Sequence, residues 1–201
     1  MSGSDGGARD TQAFFGARAA GWEERFPDDG PRFARAVAEL GVRPGDAVLD
    51  AACGTGRALP ALRAATGPGG TVVAVDLTAE MLAEAAARGR SALAGLVRGD
   101  VHALPFAAGT FDAVLAAGLV SHLAEPEAGL RELGRVAAHG ARLALFSPIG
   151  REALARRHGS ALRPDDVRGQ PRISALLSRA GWTATLVDDA EDRWLVLAVR
   201  Q

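Results

Sequence analysis

The sequence has one cysteine, Cys53, no tyrosine, two methionines, and no window near the ~20 apolar residues a membrane span needs. A lone cysteine excludes an intrachain disulfide, so a reducing cytoplasm is the expected compartment. Charge of one sign is also missing: 23 basic residues against 24 acidic ones give a net charge of −1. That leaves no electrostatic footprint for nucleic acid or an anionic membrane, and the expected partner is a small molecule. No cysteines and histidines stand at metal-ligand spacing, so no metal is expected, and there are no internal repeats. The opening MSGSDGGARD lacks a hydrophobic run, which argues against a signal peptide or anchor there. Residues 1–10 are expected to be a disordered tail, because nothing in them buries enough surface to offset ordering entropy. What remains is 48% apolar over 201 residues, and 11–201 reads as a single domain with its own core.

The stretch that organises this domain is AVLDAACGTG, residues 47–56. An apolar strand ends in an acid, Asp50, and passes into a turn built on Ala51, Ala52, Gly54 and Gly56. Small side chains let backbone lie against a ligand, and glycine takes left-handed dihedrals without penalty. Leu59, Leu62 and Ala65 follow at helical spacing, so the turn opens a helix whose N-terminus faces the same crevice. A dinucleotide fingerprint would need a third glycine where Leu59 stands, and a phosphate loop would need Gly-Lys where Gly56-Arg57 stands. A carboxylate at the strand end repels phosphate and suits ammonium or hydroxyl groups. Asp50, Ala52, Gly54 and Gly56 together resemble the first motif of the class I S-adenosylmethionine (SAM) dependent methyltransferases, with Ala52 where glycine is more usual.

Further acids recur at strand ends. The β-branched run Thr71–Val75 ends at Asp76, and strands alternating with helices argue a parallel, doubly wound sheet. Asp76 falls at its carboxyl edge, where such sheets bind ligands and where a carboxylate can accept from a ribose diol. Asp76 or Thr78 also suits the N-cap of the following helix. A third strand at Leu96 and Val97 leads into GDVHALPFAAGTFDAV, which resembles the family's adenine-recognition stretch. The resemblance implies that Asp50 lies near the methionine ammonium, Asp76 holds the ribose and Leu77 supplies an apolar face to adenine. It also implies that Asp100 accepts from the adenine amino group and that the Val101 amide donates to the ring. Ala116, Ala117 and Gly118, past the fourth strand, fall where the family holds the methionine end. His102 is expected to face solvent.

Phe15, Ala19, Trp22 and Phe26 recur at helical steps, and a second helix opens at Pro31 and ends at Gly41. Residues 11–41 are therefore expected as an N-terminal helical cap. It either covers one end of the sheet or, as the resemblance implies, forms a lid with Phe14, Phe15 and Trp22 lining a substrate pocket. His122, before a helix starting near Pro126, is a candidate general base and pocket residue, since an imidazole titrates near neutral pH; packing or loop orientation is its alternative role. Residues 148–170 are arginine-rich and poorly patterned, and are expected to carry substrate specificity. Strand five is expected over 142–147, a helix over 173–181, and a closing hairpin from Trp182 to Arg200.

The resemblance implies an α/β fold, a single Rossmann-like sheet in the order 3-2-1-4-5-7-6 with the last strand antiparallel. It implies an enzyme that moves a methyl group from SAM to an O, N or C nucleophile of a small apolar or aromatic metabolite, leaving S-adenosylhomocysteine. Two alternatives keep the cofactor: a non-methylating step such as cyclisation, and a non-catalytic SAM-binding partner subunit. A nicotinamide dehydrogenase is disfavoured by the missing third glycine.

Overall fold

Alternate residues of the first strand, β1 (Ala47–Ala51), serve two different cores, as the two-residue period of a strand requires. Leu49 and Ala51 pack into one apolar cluster with Leu130, Leu133, Ile173 and Leu177. Val48 packs into another with Phe33, Val37, Leu40, Leu59 and Leu62. β1 is therefore buried on both faces, and helices must cover both. A computed structural model describes residues 4–201, with side chains from residue 9 onward apart from residue 28. The remaining strands are β2 (Thr71–Asp76), β3 (Gly95–Arg98), β4 (Phe111–Ala117), β5 (Ala137–Ser147), β6 (Trp182–Ala190) and β7 (Arg193–Arg200). They form one sheet in the order β3-β2-β1-β4-β5-β7-β6, with β1 to β5 parallel and β7 antiparallel to both neighbours.

Among the described residues, seven α-helices complete the architecture: α1 (Ser4–Gly16), α2 (Gly30–Leu40), α3 (Leu59–Thr66), α4 (Ala79–Ala87), α5 (Pro126–Val136), α6 (Arg151–Arg157) and α7 (Arg172–Arg179). Pro31 sits in the first turn of α2 and Gly41 closes it in the left-handed region at φ 73°, as the sequence pattern required. The indole Nε1 of Trp182 donates to Leu130 O at 3.0 Å, tying β6 to α5. No described helix is long and apolar enough to cross a membrane.

Three local expectations differ from the structure. The tail expected over 1–10 lies outside the described residues up to residue 3, but Ser4 onward is the first part of α1. That helix is anchored further along, where Gln12 Nε2 donates to Leu77 O at 3.1 Å, and extending an anchored helix backwards is cheap compared with nucleating one. The aromatic helix expected from Phe14 to Phe26 is interrupted: α1 stops at Gly16, a single 3₁₀ turn follows at Ala19–Gly21, and another at Pro27–Asp29. Glycine at 16 and 21 weakens the helix where the chain bends over the sheet edge. β5 begins at Ala137 rather than 142, because 137–141 stays extended beside Phe111 through a bulge, with Gly140 at φ 76°.

Candidate functional site

The turn after β1 runs through three residues in the left-handed region. Ala52, Gly54 and Gly56 all have positive φ, at 61°, 54° and 80°, and Ala52 is the one non-glycine residue in that region among the described residues. An L residue there costs roughly 1 to 3 kcal/mol, so strain is stored at the position where glycine would be free of it. The turn is held from outside by Asp76 at the end of β2. Its Oδ2 accepts the Gly54 amide at 2.7 Å and its Oδ1 accepts the Thr78 amide at 2.8 Å. One carboxylate thus fastens the glycine turn and holds the amide of Thr78, the N-cap residue of α4; neither Asp76 nor Thr78 caps the helix through its side chain, the alternative role that the sequence offered. Burial raises its pKa and these amide bonds oppose the rise. A carboxylate has about four acceptor positions, so this anchoring leaves capacity for a ligand.

Asp50 is different. It is fully buried, its Oδ2 has no hydrogen-bond partner, and burial, reinforced by the nearby Asp76 charge, pushes its pKa up to about 7. An unpartnered carboxylate oxygen of this kind is costly to keep and calls for a cationic or hydrogen-bonding ligand. Asp100, just past β3, has Oδ1 engaged by the backbone amide and the ring Nδ1 of His102, both at 2.8 Å. His102 is therefore no free solvent-facing histidine; it orients Asp100, and its Nε2 is itself buried without a partner. One signal for the pair was present in the chain, the spacing Asp-x-His on a tight loop.

Asp50, Asp76 and Asp100 all line one cavity of about 890 Å³, together with Ala52, Gly54, Leu77, Val101, Ala117 and His122. Gly56 does not line it. It lies behind the turn, where an added Cβ would come within 2.7 Å of Leu59 Cδ1, so its contribution is the turn itself. Phe14, Phe15 and Trp22 form the far wall, which puts the N-terminal cap over the strand edge. Phe15 stacks edge-on against His122 at 5.1 Å and against Trp22 at 5.5 Å, and Trp22 meets Phe26 at 5.2 Å. Desolvation in this cavity, followed by the Arg168 charge, lowers the His122 pKa, so the ring is neutral at physiological pH.

Several residues in and beside the cavity were not singled out individually by the sequence. Glu23 accepts from Thr55 Oγ1 at 2.8 Å and pairs with Arg90, which also donates to Thr55 O, so the cap is latched onto the glycine turn. Arg57, noted in the sequence only because it spoils a phosphate loop, is nearly buried against Asp29 at 3.0 Å. Arg157 and Arg168 come from the arginine-rich segment and Trp194 from the hairpin. No spacing rule links these positions, since they meet only through the fold.

An open, largely parallel α/β sheet with three carboxylates at its carboxyl edge beside a glycine turn defines a nucleoside-binding class of protein. Residues 49–145 match the family model described as a methyltransferase domain. The demethylmenaquinone methyltransferase of Mycolicibacterium vanbaalenii is 35% identical over 169 residues, covering 72% of this chain and 71% of that protein. A SAM dependent methyltransferase structure from Aquifex aeolicus superposes with a TM-score of 0.68 at 25% identity, covering 84% of this chain and 89% of that one. A chain from the complex between the Haloferax volcanii Trm112 methyltransferase activator and a methyltransferase superposes with a TM-score of 0.76 at 23% identity, covering 92% and 97%, which shows the shared fold. Of several other curated relatives this chain spans only 32 to 47% of the length. The chain belongs to the class I SAM-dependent methyltransferases, whose cofactor is S-adenosylmethionine.

Proposed function

We propose that this protein transfers a methyl group from SAM to an O, N or C nucleophile of a small apolar or aromatic metabolite. The observation that carries the proposal is the cavity itself: three strand-end acids open into it, one with an unpartnered oxygen, opposite a wall of aromatic rings. The residues present suit the cofactor. The orphaned Asp50 Oδ2 fits an ammonium group, Asp76 fits a diol, and Asp100, oriented by His102, fits an exocyclic amine. When bound, SAM supplies a methyl group already activated by its sulfonium.

The chain's own work is then alignment, exclusion of water and proton removal. Phe14, Phe15 and Trp22 offer an apolar surface to the acceptor, and holding two reactants in register contributes up to roughly 7 to 11 kcal/mol in well-oriented cases. The cap, latched through Glu23, keeps water out. His122, neutral and beside the aromatic wall, accepts on an imidazole nitrogen the proton of an acceptor hydroxyl, amine or ring carbon.

Calorimetry with S-adenosylhomocysteine tests the cofactor site. Asp76→Ala is expected to weaken binding by on the order of 1.5 to 3 kcal/mol, because charged hydrogen bonds are lost and the Gly54 turn loosens. Unchanged affinity in that variant would overturn the placement of the ribose. Turnover is tested by mass spectrometry of candidate acceptors. A methyl-sized gain supports transfer; conversion without gain marks a non-methylating step, and binding without conversion of any acceptor marks a partner subunit. His122→Gln is expected to flatten the loss of rate that wild type shows as pH falls through the lowered imidazole pKa, and an unaltered pH profile would remove His122 as the base.

A further inference from the structure

The two ends of the cavity carry opposite charge. The strand edge presents Asp50, Asp76 and Asp100, whereas the end under α2 and α6 presents arginines gathered around one ring, Phe26. The Arg57 guanidinium lies 6.0 Å from that ring's centroid and Arg157 lies 5.4 Å from it. Arg32 and Arg57 share a single carboxylate, Asp29, at 3.3 and 3.0 Å, and Arg32 also donates to Pro148 O at 2.8 Å. Arg57 further donates to Phe26 O. Arg157 has no carboxylate or hydrogen-bond partner among the described residues, and neither has Arg25, beside Phe26 in the chain and in the lining of the same cavity. Arg57 and Arg157 therefore flank one ring, Arg32 joins Arg57 through Asp29, and Asp29 is the one carboxylate paired with these three guanidinium groups among the described side chains; Arg57 and Asp29 are nine-tenths buried.

From this imbalance we infer that the substrate is an amphipathic acid, whose carboxylate or phosphate is held by Arg157 and Arg32 at the Phe26 end of the cavity. The inference rests on the methyltransferase reading for the position of the reacting end. Phe26, Trp22, Phe15 and His122 follow one another at centroid steps of 5.2, 5.5 and 5.1 Å. This wall leads from the arginines to the candidate base, so the methyl acceptor lies at the end of the substrate opposite its acid group. The chain contains no lysine, so every cationic side chain here is a planar fork suited to two-point contact with a carboxylate or phosphate.

Binding of matched acid and neutral probes decides the matter. p-Coumarate, dodecanoate and phenyl phosphate are titrated against p-coumaramide, dodecanamide and phenol, on the whole protein with and without saturating S-adenosylhomocysteine. At least one acid is expected to bind roughly tenfold or more tightly than its neutral counterpart. That preference should collapse in Arg157→Gln with S-adenosylhomocysteine affinity unchanged, and the carboxylate and phosphate arms tell the two anions apart. Arg32→Gln supplies the second test, should Arg157→Gln lose its thermal transition. If no acid is preferred over its counterpart, or the preference survives in both folded variants, the inference is wrong. Failure of S-adenosylhomocysteine to bind overturns the cofactor reading instead, and the comparison on the cofactor-free protein still decides the anion site.

Discussion

At the scale of single residues, the glycine turn shows how one methyl group changes sign with position. Ala52 sits at φ 61°, where glycine would relieve strain, while Gly56 sits at φ 80° with Leu59 close behind it. Ala52→Gly is expected to leave thermal stability within about 1 kcal/mol of wild type, because relieved strain offsets the greater freedom of the unfolded chain. Gly56→Ala is expected to cost on the order of 1 to 3 kcal/mol through forced left-handed backbone. Denaturant unfolding of the two variants checks the contrast, and equal losses would show that the turn is not strained at Ala52. The sequence identified Ala52 as a departure from glycine; that it keeps the left-handed conformation rather than remodelling the turn is decided by its neighbours, whose amides are held by Asp76 and Val75.

At the scale of elements, the N-terminal cap is joined to the glycine turn through Glu23 with Arg90 and Thr55, to the end of β2 through Gln12 with Leu77 O, and to other elements through Asp29 with Arg57, Glu24 with Arg88 and Arg32 with Pro148 O. Burial raises the pKa of Glu23, but the Arg90 and Thr55 hydrogen bonds outweigh it and the net shift is downward. A carboxylate whose pKa is depressed by folding stabilises above its unfolded pKa, and that stabilisation is lost as pH falls through the folded one. The latch is therefore complete at neutral pH and is released as pH drops below the usual glutamate range. Glu23→Gln is expected to speed amide exchange in residues 11–26 at neutral pH, leaving exchange in β1 and β4 unaffected, and mass-resolved hydrogen exchange reads both. Unaltered exchange in the cap would mean that the Glu23 latch does not limit its opening. The aromatic repeat Phe15, Trp22, Phe26 was legible as one apolar face, but its division into α1 and two short turns was not, since periodicity does not register a bend over a sheet edge.

At the scale of the whole molecule, the parallel sheet concentrates acids at one edge, and global stability bears the cost. Asp50 has a folded pKa of about 7, far above its ordinary value of 3.8. A carboxylate raised in this way stabilises the fold fully below its unfolded pKa, and the contribution is lost as pH rises through about 7. At about 1.4 kcal/mol per pKa unit the loss amounts to a few kcal/mol. Asp50→Asn is expected to raise the melting temperature of the cofactor-free protein at pH values above about 7 while weakening the response to SAM. In wild type, cofactor affinity should rise as pH increases through the same range, since an ammonium group pairs with the ionised acid. A melting temperature that does not depend on pH in that interval would show Asp50 to be solvated or paired.

The sequence by itself determined most of the strands and the acids at their ends, while the strand order was implied only by the resemblance to the methyltransferases and is set by the sheet itself. The strands and their acids follow from short-range rules: β-branched runs, residue spacing, and glycine where backbone must turn tightly. It also placed Phe14, Phe15, Trp22 and His122 in one pocket by resemblance, and all four line the cavity. Only the tertiary structure decided that Glu23 reaches the glycine turn, that Arg57 and Arg157 flank Phe26, and that Arg32 joins Arg57 through Asp29. These contacts join residues on separate elements, many of them far apart in the chain. Charged side chains at such positions leave no periodic trace, because burial of the apolar stripes brings them together rather than any local preference of their own.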